Sequence, residues 1–561
     1  MITSVEAVRR AFAAIAQHDR PEVWITLRGE KEMLAEALEL DFSAENLPLR
    51  GQILAVKDNI DVAGLPTTLG LPRDFAIAHR DAPAVARLRA AGAIVIGKTN
   101  LDQFATGLVG TRSPFGAVRN SLWPERISGG SSSGSAVAVA LGMADLALGT
   151  DTAGSGRVPA ALNRIVGIKP TLGLVPTTGM RDACRPFDTI TVFARTLNEA
   201  SVALEIMIGP DGVDGLCRAA PLDARLAAPS DPVFAIPLDE DLTSLDAPSR
   251  DAWTAALVRW AELGTLRPTG IATLLAAARL LYDGAIVAGR FAAAGEFMND
   301  DDGLDPTVAA IVRRAESVLG WEYVRDRATL DAARIVAIDL LAGCDALLIP
   351  TAPGHPTIAE VAADPLVLNA WLGTFTNFVN LLDLAAVAVP VAQPTEYGFG
   401  VSVITRAFED RIGLDLAARF LGERVPEGRN DSGIELAVFG AHLTGQPLNH
   451  ELADFGARLL GEARTSADYR LLALPTTPPK PGLVEVAAGG VEITGELWRL
   501  APAALGRFLA RLPKPMTLGA ISLHDGRQVV GFACSPMAAA GASDISEFGS
   551  WPAWLEAQLA T

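Results

Sequence analysis

Three short segments concentrate hydroxyl, amine and glycine residues in patterns that suit acyl-transfer chemistry. The first, Ala55-Val56-Lys57-Asp58-Asn59-Ile60, sets a lysine behind an apolar run. The second, Ser128-Gly129-Gly130-Ser131-Ser132-Ser133-Gly134-Ser135, is nothing but glycine and serine. The third runs from Gly149 to Ala160 and holds Ser155 between Gly154 and Gly156. A serine on a tight strand-to-helix turn is well placed as an exposed nucleophile, and the turn's N–H groups can point at a developing oxyanion. The spacing is not the Gly-x-Ser-x-Gly elbow, so this segment alone reads equally as a polar turn. A nucleophilic serine needs a base. None of the six histidines lies in these segments, although a Ser-His-Asp set assembled from distant positions stays open. Lys57 offers another base, because burial behind an apolar strand would lower its pKa and leave a neutral amine. Taken alone, Lys57 reads as well as a surface lysine or an ion-pair partner of Asp58. The Gly/Ser run reads as a flexible linker or as a loop permitting unusual backbone angles and close ligand approach. It lacks the Lys-Ser/Thr of a phosphate-binding loop.

Short apolar runs and longer helical patterns must position these segments. Residues 53–56 read as a strand ending at Lys57, 93–97 as a buried strand and 144–148 as a strand before the Ser155 turn. Helical patterns occupy 82–91 and 135–143, and Val158-Pro159-Ala160 opens another. Later strand candidates are 233–236, 346–349 and 385–389, with helical patterns at 249–263 and 328–341 between them. Continuous rather than alternating apolar strands predict a sheet covered by helices on both faces, an α/β fold. Composition shifts at 422–432, GERVPEGRNDS, which reads as a linker. Beyond it lie short strand-like pieces at 435–439, 469–474, 483–486, 491–497 and 529–533. A first domain over 1–425 and a smaller α+β domain over 433–545 are therefore expected.

The chain has 561 residues and a formal net charge of -18, from 47 Lys plus Arg against 65 Asp plus Glu. That balance disfavours a broad nucleic-acid-binding surface, so an anionic ligand needs a local cation. The four cysteines form no CxxC pair, which argues against a disulfide framework or a structural zinc site and fits a reducing compartment. Mean hydropathy is +0.28, but charges interrupt the apolar runs. The stretch 135–149 is broken by Asp145 and is too short for about 30 Å of hydrocarbon. Thr3 and Glu6 have capping-box spacing where a signal peptide would be apolar. A cytoplasmic protein without a membrane span is expected.

Jointly and in this order, the three segments resemble the amidase signature family over roughly residues 1–425. The resemblance implies a mixed central sheet covered by helices and a Ser–cis-Ser–Lys triad. Ser155 would be the nucleophile, Ser131 the bridging serine before a non-proline cis peptide, and Lys57 the base. It also implies an oxyanion hole from the N–H groups of Thr152, Ala153, Gly154 and Ser155, with Asp151 and Arg157 as scaffold. Within the family, Asp151 to Ala160, residues 373–384 and residues 438–449 are similar to allophanate hydrolases, whose C-terminal domain resembles the γ-glutamylcyclotransferase-like fold. The implied substrate is allophanate, urea-1-carboxylate. Tyr282 and Arg290 match the positions that bind its carboxylate, where Arg donates a bidentate pair and Tyr a further hydrogen bond. A straight helix would separate residues so spaced by roughly 12 Å, so either both side chains reach inward or Gly284 and Gly289 interrupt it.

For a later step in the second domain His442 is the candidate, ahead of His524 and Glu496. A lone histidine beside Gly-Ala is as readily structural. The resemblance further implies no cofactor or metal, no nucleic-acid or membrane partner, and a homodimer. The sequence holds no carboxylase or biotin-carrier region, so a functional link to a separate urea carboxylase or biuret hydrolase is expected. The alternative is an amidase-signature hydrolase of another small amide. A tRNA-dependent amidotransferase subunit fits poorly with the second domain and the acidic balance. A catalytically dead scaffold fits poorly with an intact Lys57, Ser131 and Ser155.

Overall fold

Apolar runs of four to seven residues become the strands of an eleven-stranded mixed sheet. The strands are β1 (Trp24–Leu27), β2 (Ile53–Lys57), β3 (Ile94–Thr99), β4 (Leu146–Asp151), β5 (Val166–Lys169), β6 (Thr189–Ala194), β7 (Val233–Pro237), β8 (Thr265–Thr269), β9 (Ala346–Pro350), β10 (Leu384–Pro390) and β11 (Gly400–Arg406). Their spatial order is β1-β3-β2-β4-β6-β5-β10-β11-β9-β7-β8. The β3-β2-β4 and β9-β7-β8 neighbours pair in parallel, and the strands between them run antiparallel. Every residue of β2, β3, β4 and β6 is buried, as expected of a sheet covered on both faces. The computed structural model describes residues 3–299, 302–391, 397–424, 433–477 and 479–559. No helix among them is long and apolar enough to cross a membrane.

Two local differences from the sequence expectation bear on the site. The helix expected at 135–143 is Ser133–Ala140, so the Gly/Ser run turns straight into it. The strand expected at 144–148 is β4, which carries on through Thr150 and Asp151. Asp151 pairs with Thr189 of β6, and the ladder therefore holds the backbone up to the edge of the Ser155 turn. The capping box at Thr3 and Glu6 is present, and it starts helix Ser4–His18.

The chain divides into two compact units, 1–219 with 231–426 and 220–230 with 427–561. In the second, β12 (Ile434–Val438), β13 (Arg458–Arg464), β16 (Thr494–Leu500), β17 (Met516–Ser522) and β18 (Gln528–Cys534) form a five-stranded sheet ordered β13-β16-β12-β18-β17. A three-stranded sheet joins β14 (Tyr469–Leu474) to β15 (Lys480–Glu485) and β19 (Ser543–Asp544). Leu436, Val438, Leu471, Trp498, Phe508 and Trp551 pack in its core. Segment 220–230 joins this unit through backbone bonds: Leu226 N–H donates to Gly456 at 2.9 Å, and Ala503 N–H donates to Leu222 at 3.0 Å. The sequence reading did not place that segment there. Of the linker expected at 422–432, residues 425–432 lie outside the described residues. Gly422, at φ 70°, closes helix Asp410–Leu421.

Candidate active site

Lys57 is the last residue of β2, and its side chain is wholly buried. Its Nζ donates to Ser131 Oγ and to Thr150 Oγ1, each at 2.8 Å. The Ser131 hydroxyl reaches Ser155 Oγ at 3.0 Å. Amine, bridging hydroxyl and second hydroxyl thus form one continuous hydrogen-bonded line, and the cis peptide is Gly130–Ser131, so it precedes Ser131 rather than following it as expected. Asp58 is not the partner of Lys57, because its carboxylate pairs with Lys98 at 3.0 Å. Burial lowers the Lys57 pKa from 10.5 to about 7; Asp102, Asp151 and Asp188 pull it back up, while Arg290 lowers it further. An amine in that range exists in both protonation states near neutral pH, which suits proton transfer.

The turn after β4 is pinned by one buried ion pair. Asp151 and Arg157 are both fully buried and meet in two bonds, Nε to Oδ2 at 3.0 Å and Nη2 to Oδ1 at 2.9 Å. Burial works against the Asp151 anion, but Arg157 outweighs it and the carboxyl sits below its ordinary pKa. The same carboxylate accepts N–H from Gly154 at 2.9 Å and from Gly156 at 2.8 Å. This corrects one expectation for the oxyanion hole, since the Gly154 N–H is already engaged. The N–H groups of Thr152, Ala153 and Ser155 have no partner among the described residues. Gly154 has φ +132°, and a Cβ there would collide with the Thr376 hydroxyl, so both its backbone angle and its packing require glycine.

Helix Ala272–Arg279 stops short of Tyr282, and a new helical stretch begins at Ala285. Gly284 is extended (φ -95°, ψ -174°), and the Ala285 N–H is capped by Asp326 at 2.7 Å. That break brings Tyr282 and Arg290 together. Arg290 Nη2 lies 3.2 Å from the Tyr282 hydroxyl, and the guanidinium sits 5.5 Å over the Tyr282 ring. Nη1 donates to Ala105 O at 3.0 Å and to Thr106 Oγ1 at 3.2 Å. Arg290 is 1 % exposed, and no carboxylate pairs with it among the described residues. Its Nε also lacks a hydrogen-bond partner. Tyr282 lines an open cleft of about 650 Å³ with Asp241, Arg279, Trp371, Thr374 and Asn377.

In the second unit His442 is 6 % exposed. Its Nε2 bonds Glu451 at 2.9 Å, and its ring stacks on Phe532 at 4.8 Å. Burial lowers its pKa, and Glu451 pulls the other way. A small pocket of about 20 Å³ is lined by His442, Phe439, Lys480, Met516 and Phe532. Glu496 accepts from Thr444 N–H at 2.9 Å and Trp498 Nε1 at 3.0 Å; neither it nor the exposed His524 lines that pocket.

Comparison with known proteins gives this arrangement a lineage. The family model described as Amidase matches residues 6–413, nearly all of the first unit. The chain belongs to the amidase family. The model described as Allophanate hydrolase C-terminal domain matches 434–556. Urea amidolyases of Lachancea kluyveri and Saccharomyces cerevisiae are each 37% identical over 96% and 95% of the chain. The chain spans about a third of those curated relatives, 32% and 31% of their length. A solved structure of Kluyveromyces lactis allophanate hydrolase superposes with a TM-score of 0.89 at 36% identity, covering 99% of this chain and 97% of that one.

Several residues that hold this amidase site were not evident from sequence. Thr150 fixes the amine of Lys57. Asp102 accepts N–H from Val109, Gly110 and Arg112 at 3.0–3.1 Å, and its own N–H donates to Ser131 O at 3.1 Å. Asp188 accepts from Thr152 Oγ1 and from Ala183 N–H. Asn380 bridges the Arg157 guanidinium and the Asp151 carbonyl. These contacts join segments far apart in the chain, so periodicity carries no signal for them.

Proposed function

We propose that this chain hydrolyses allophanate, with Ser155 as nucleophile, Ser131 as proton bridge and Lys57 as base. The observation that carries the substrate is Arg290, a buried cation with no carboxylate paired to it among the described residues. Burying an uncompensated charge is costly, and a small anionic substrate would compensate it. The substrate carboxylate is taken up by Arg290 and Tyr282, which directs the far carboxamide toward Ser155. Neutral Lys57 accepts the Ser131 proton as Ser131 takes that of Ser155, and Ser155 Oγ attacks the carboxamide carbon. The oxyanion faces the N–H groups of Thr152, Ala153 and Ser155, which donate into a water-poor site. The proton returns through Ser131 to the leaving nitrogen, and ammonia departs. Water then cleaves the acyl-enzyme to N-carboxycarbamate, which goes on to ammonia and carbon dioxide. His442, with Glu451 behind it, is our candidate for assisting that later step.

The same reading carries a cytoplasmic homodimer with a functional link to a urea carboxylase or biuret hydrolase. The test is ammonia release from allophanate beside malonamate, biuret and uncharged amides. Strong preference for allophanate is expected, and equal turnover of uncharged amides would sink the assignment. Ser155→Ala is expected to abolish turnover in a protein that still folds.

A further inference from the structure

Asn377 opens the short helix Asn377–Leu381 and is 5 % exposed. Its Oδ1 is buried without a hydrogen-bond partner. Buried amides in proteins are normally paired, and leaving one unpaired costs free energy. The carboxamide is held by shape instead. A Cβ on Gly373 would lie 2.6 Å from both Nδ2 and Oδ1, so only glycine there leaves room for it. The side chain lines the cleft that also holds Tyr282.

The surrounding backbone is tied firmly to the nucleophile turn. Arg157 Nη1 donates to Thr376 O at 3.1 Å, and Nη2 donates to Asn380 Oδ1 at 3.0 Å. The backbone on either side of Asn377 is therefore tied to Arg157 of the nucleophile turn, while the Asn377 Oδ1 stays unpaired. Resting on the allophanate reading above, the donor that separates this substrate from other small anionic amides is the N–H between its two carbonyl carbons. Tyr282 and Arg290 hold the carboxylate on one side of that N–H, and Ser155 attacks on the other.

We propose that the Asn377 carboxamide is a specificity-determining group that accepts a hydrogen bond from this ureido N–H through Oδ1. Malonamate keeps the carboxylate and the carboxamide but has a methylene in place of the N–H, so it isolates the interaction. The experiment measures kcat/KM for both compounds with the full chain and with Asn377→Leu, which keeps the volume and removes the polar atoms. The ratio of allophanate to malonamate is expected to fall roughly tenfold, the worth of one hydrogen bond. Gly373→Ala, which displaces the carboxamide, is expected to lower the ratio in the same direction. Asn377→Ser is measured alongside, so that a poorly folding Leu variant leaves the test standing. An unchanged ratio in folded variants, including an equal loss on both compounds, overturns the proposal. Failure of the unmodified chain to hydrolyse allophanate would instead overturn the reading on which it rests.

Discussion

Lys57→Met is expected to make the protein more stable and inactive. In the folded chain the amine has a pKa of about 7 against an ordinary 10.5. At about 1.4 kcal/mol per unit, the folded state bears about 4–5 kcal/mol for burying it at neutral pH. Methionine fills similar space without a charge. It also leaves Ser131 and Thr150 each without one donor, a loss of about 1 kcal/mol apiece. The net gain is about 2–3 kcal/mol. With an unfolding entropy of about 2.1 cal/mol/K per residue, that is a rise of about 3 °C in Tm for a unit of this size. The gain depends on pH with a definite sign. Between about pH 7 and 10.5 the unfolded chain binds a proton here that the folded chain does not. Wild-type stability therefore rises with pH through that window, and the advantage of methionine shrinks by about 2 kcal/mol between roughly pH 7 and 9. Differential scanning calorimetry of both proteins at several pH values measures this directly, with ammonia release as the companion assay. A Lys57→Met protein no more stable than wild type at neutral pH, with no pH trend in the difference, would refute the account of a destabilised buried amine.

On the proposed mechanism the same amine would set the pH dependence of turnover. Below about pH 7 Lys57 is protonated and cannot accept, so kcat/KM is expected to fall tenfold per unit as pH drops. Because Arg290 depresses the Lys57 pKa, Arg290→Gln should move this limb to higher pH while weakening anionic substrates; an unmoved limb would contradict the coupling. Asp151→Asn leaves Arg157 buried without its anion and is expected to cost about 3–5 kcal/mol in chemical denaturation. It should lower turnover as well, and a variant with wild-type stability would show that the pair is not what pins the turn. A Cβ on Gly130 would overlap the Asp102 carboxylate, so Gly130→Ala is expected to lose about 1–3 kcal/mol, and an unshifted unfolding midpoint would dispute the close approach.

Local pattern made much of the fold legible. Ile53–Lys57, Ile94–Thr99, Val233–Pro237 and Leu384–Pro390 are short, continuous apolar runs bounded by breakers, and they read as covered strands because burial on both faces removes the alternation. Val166–Lys169 has only four residues, too few to establish a period, and was missed. Thr189–Ala194 opens with polar residues, and it gains its strand identity by completing the ladder beside Asp151. The break before Arg290 was foreshadowed by Gly284, but a glycine alone does not say whether a helix bends or continues.

By itself the sequence determined which side chains are available for the chemistry: a lysine behind an apolar strand, a serine in a Gly/Ser run and a serine between glycines. Its acidic balance also implied that any small anionic ligand would need a local cation. Only the tertiary structure decided what those groups are to one another. Lys57 alone reads as a surface lysine or a partner of Asp58. It becomes a depressed, buried amine because Lys98 takes Asp58 and because Ser131 and Thr150, neither of them charged, close over Nζ. Arg290 lacks a carboxylate partner among the described residues because the broken helix turns it inward against Tyr282, the Ala105 carbonyl oxygen and the Thr106 hydroxyl. Hydrogen bonds and dielectric depend on distances in space of a few ångströms, and contacts between residues scores of positions apart leave no mark on the spacing of either one.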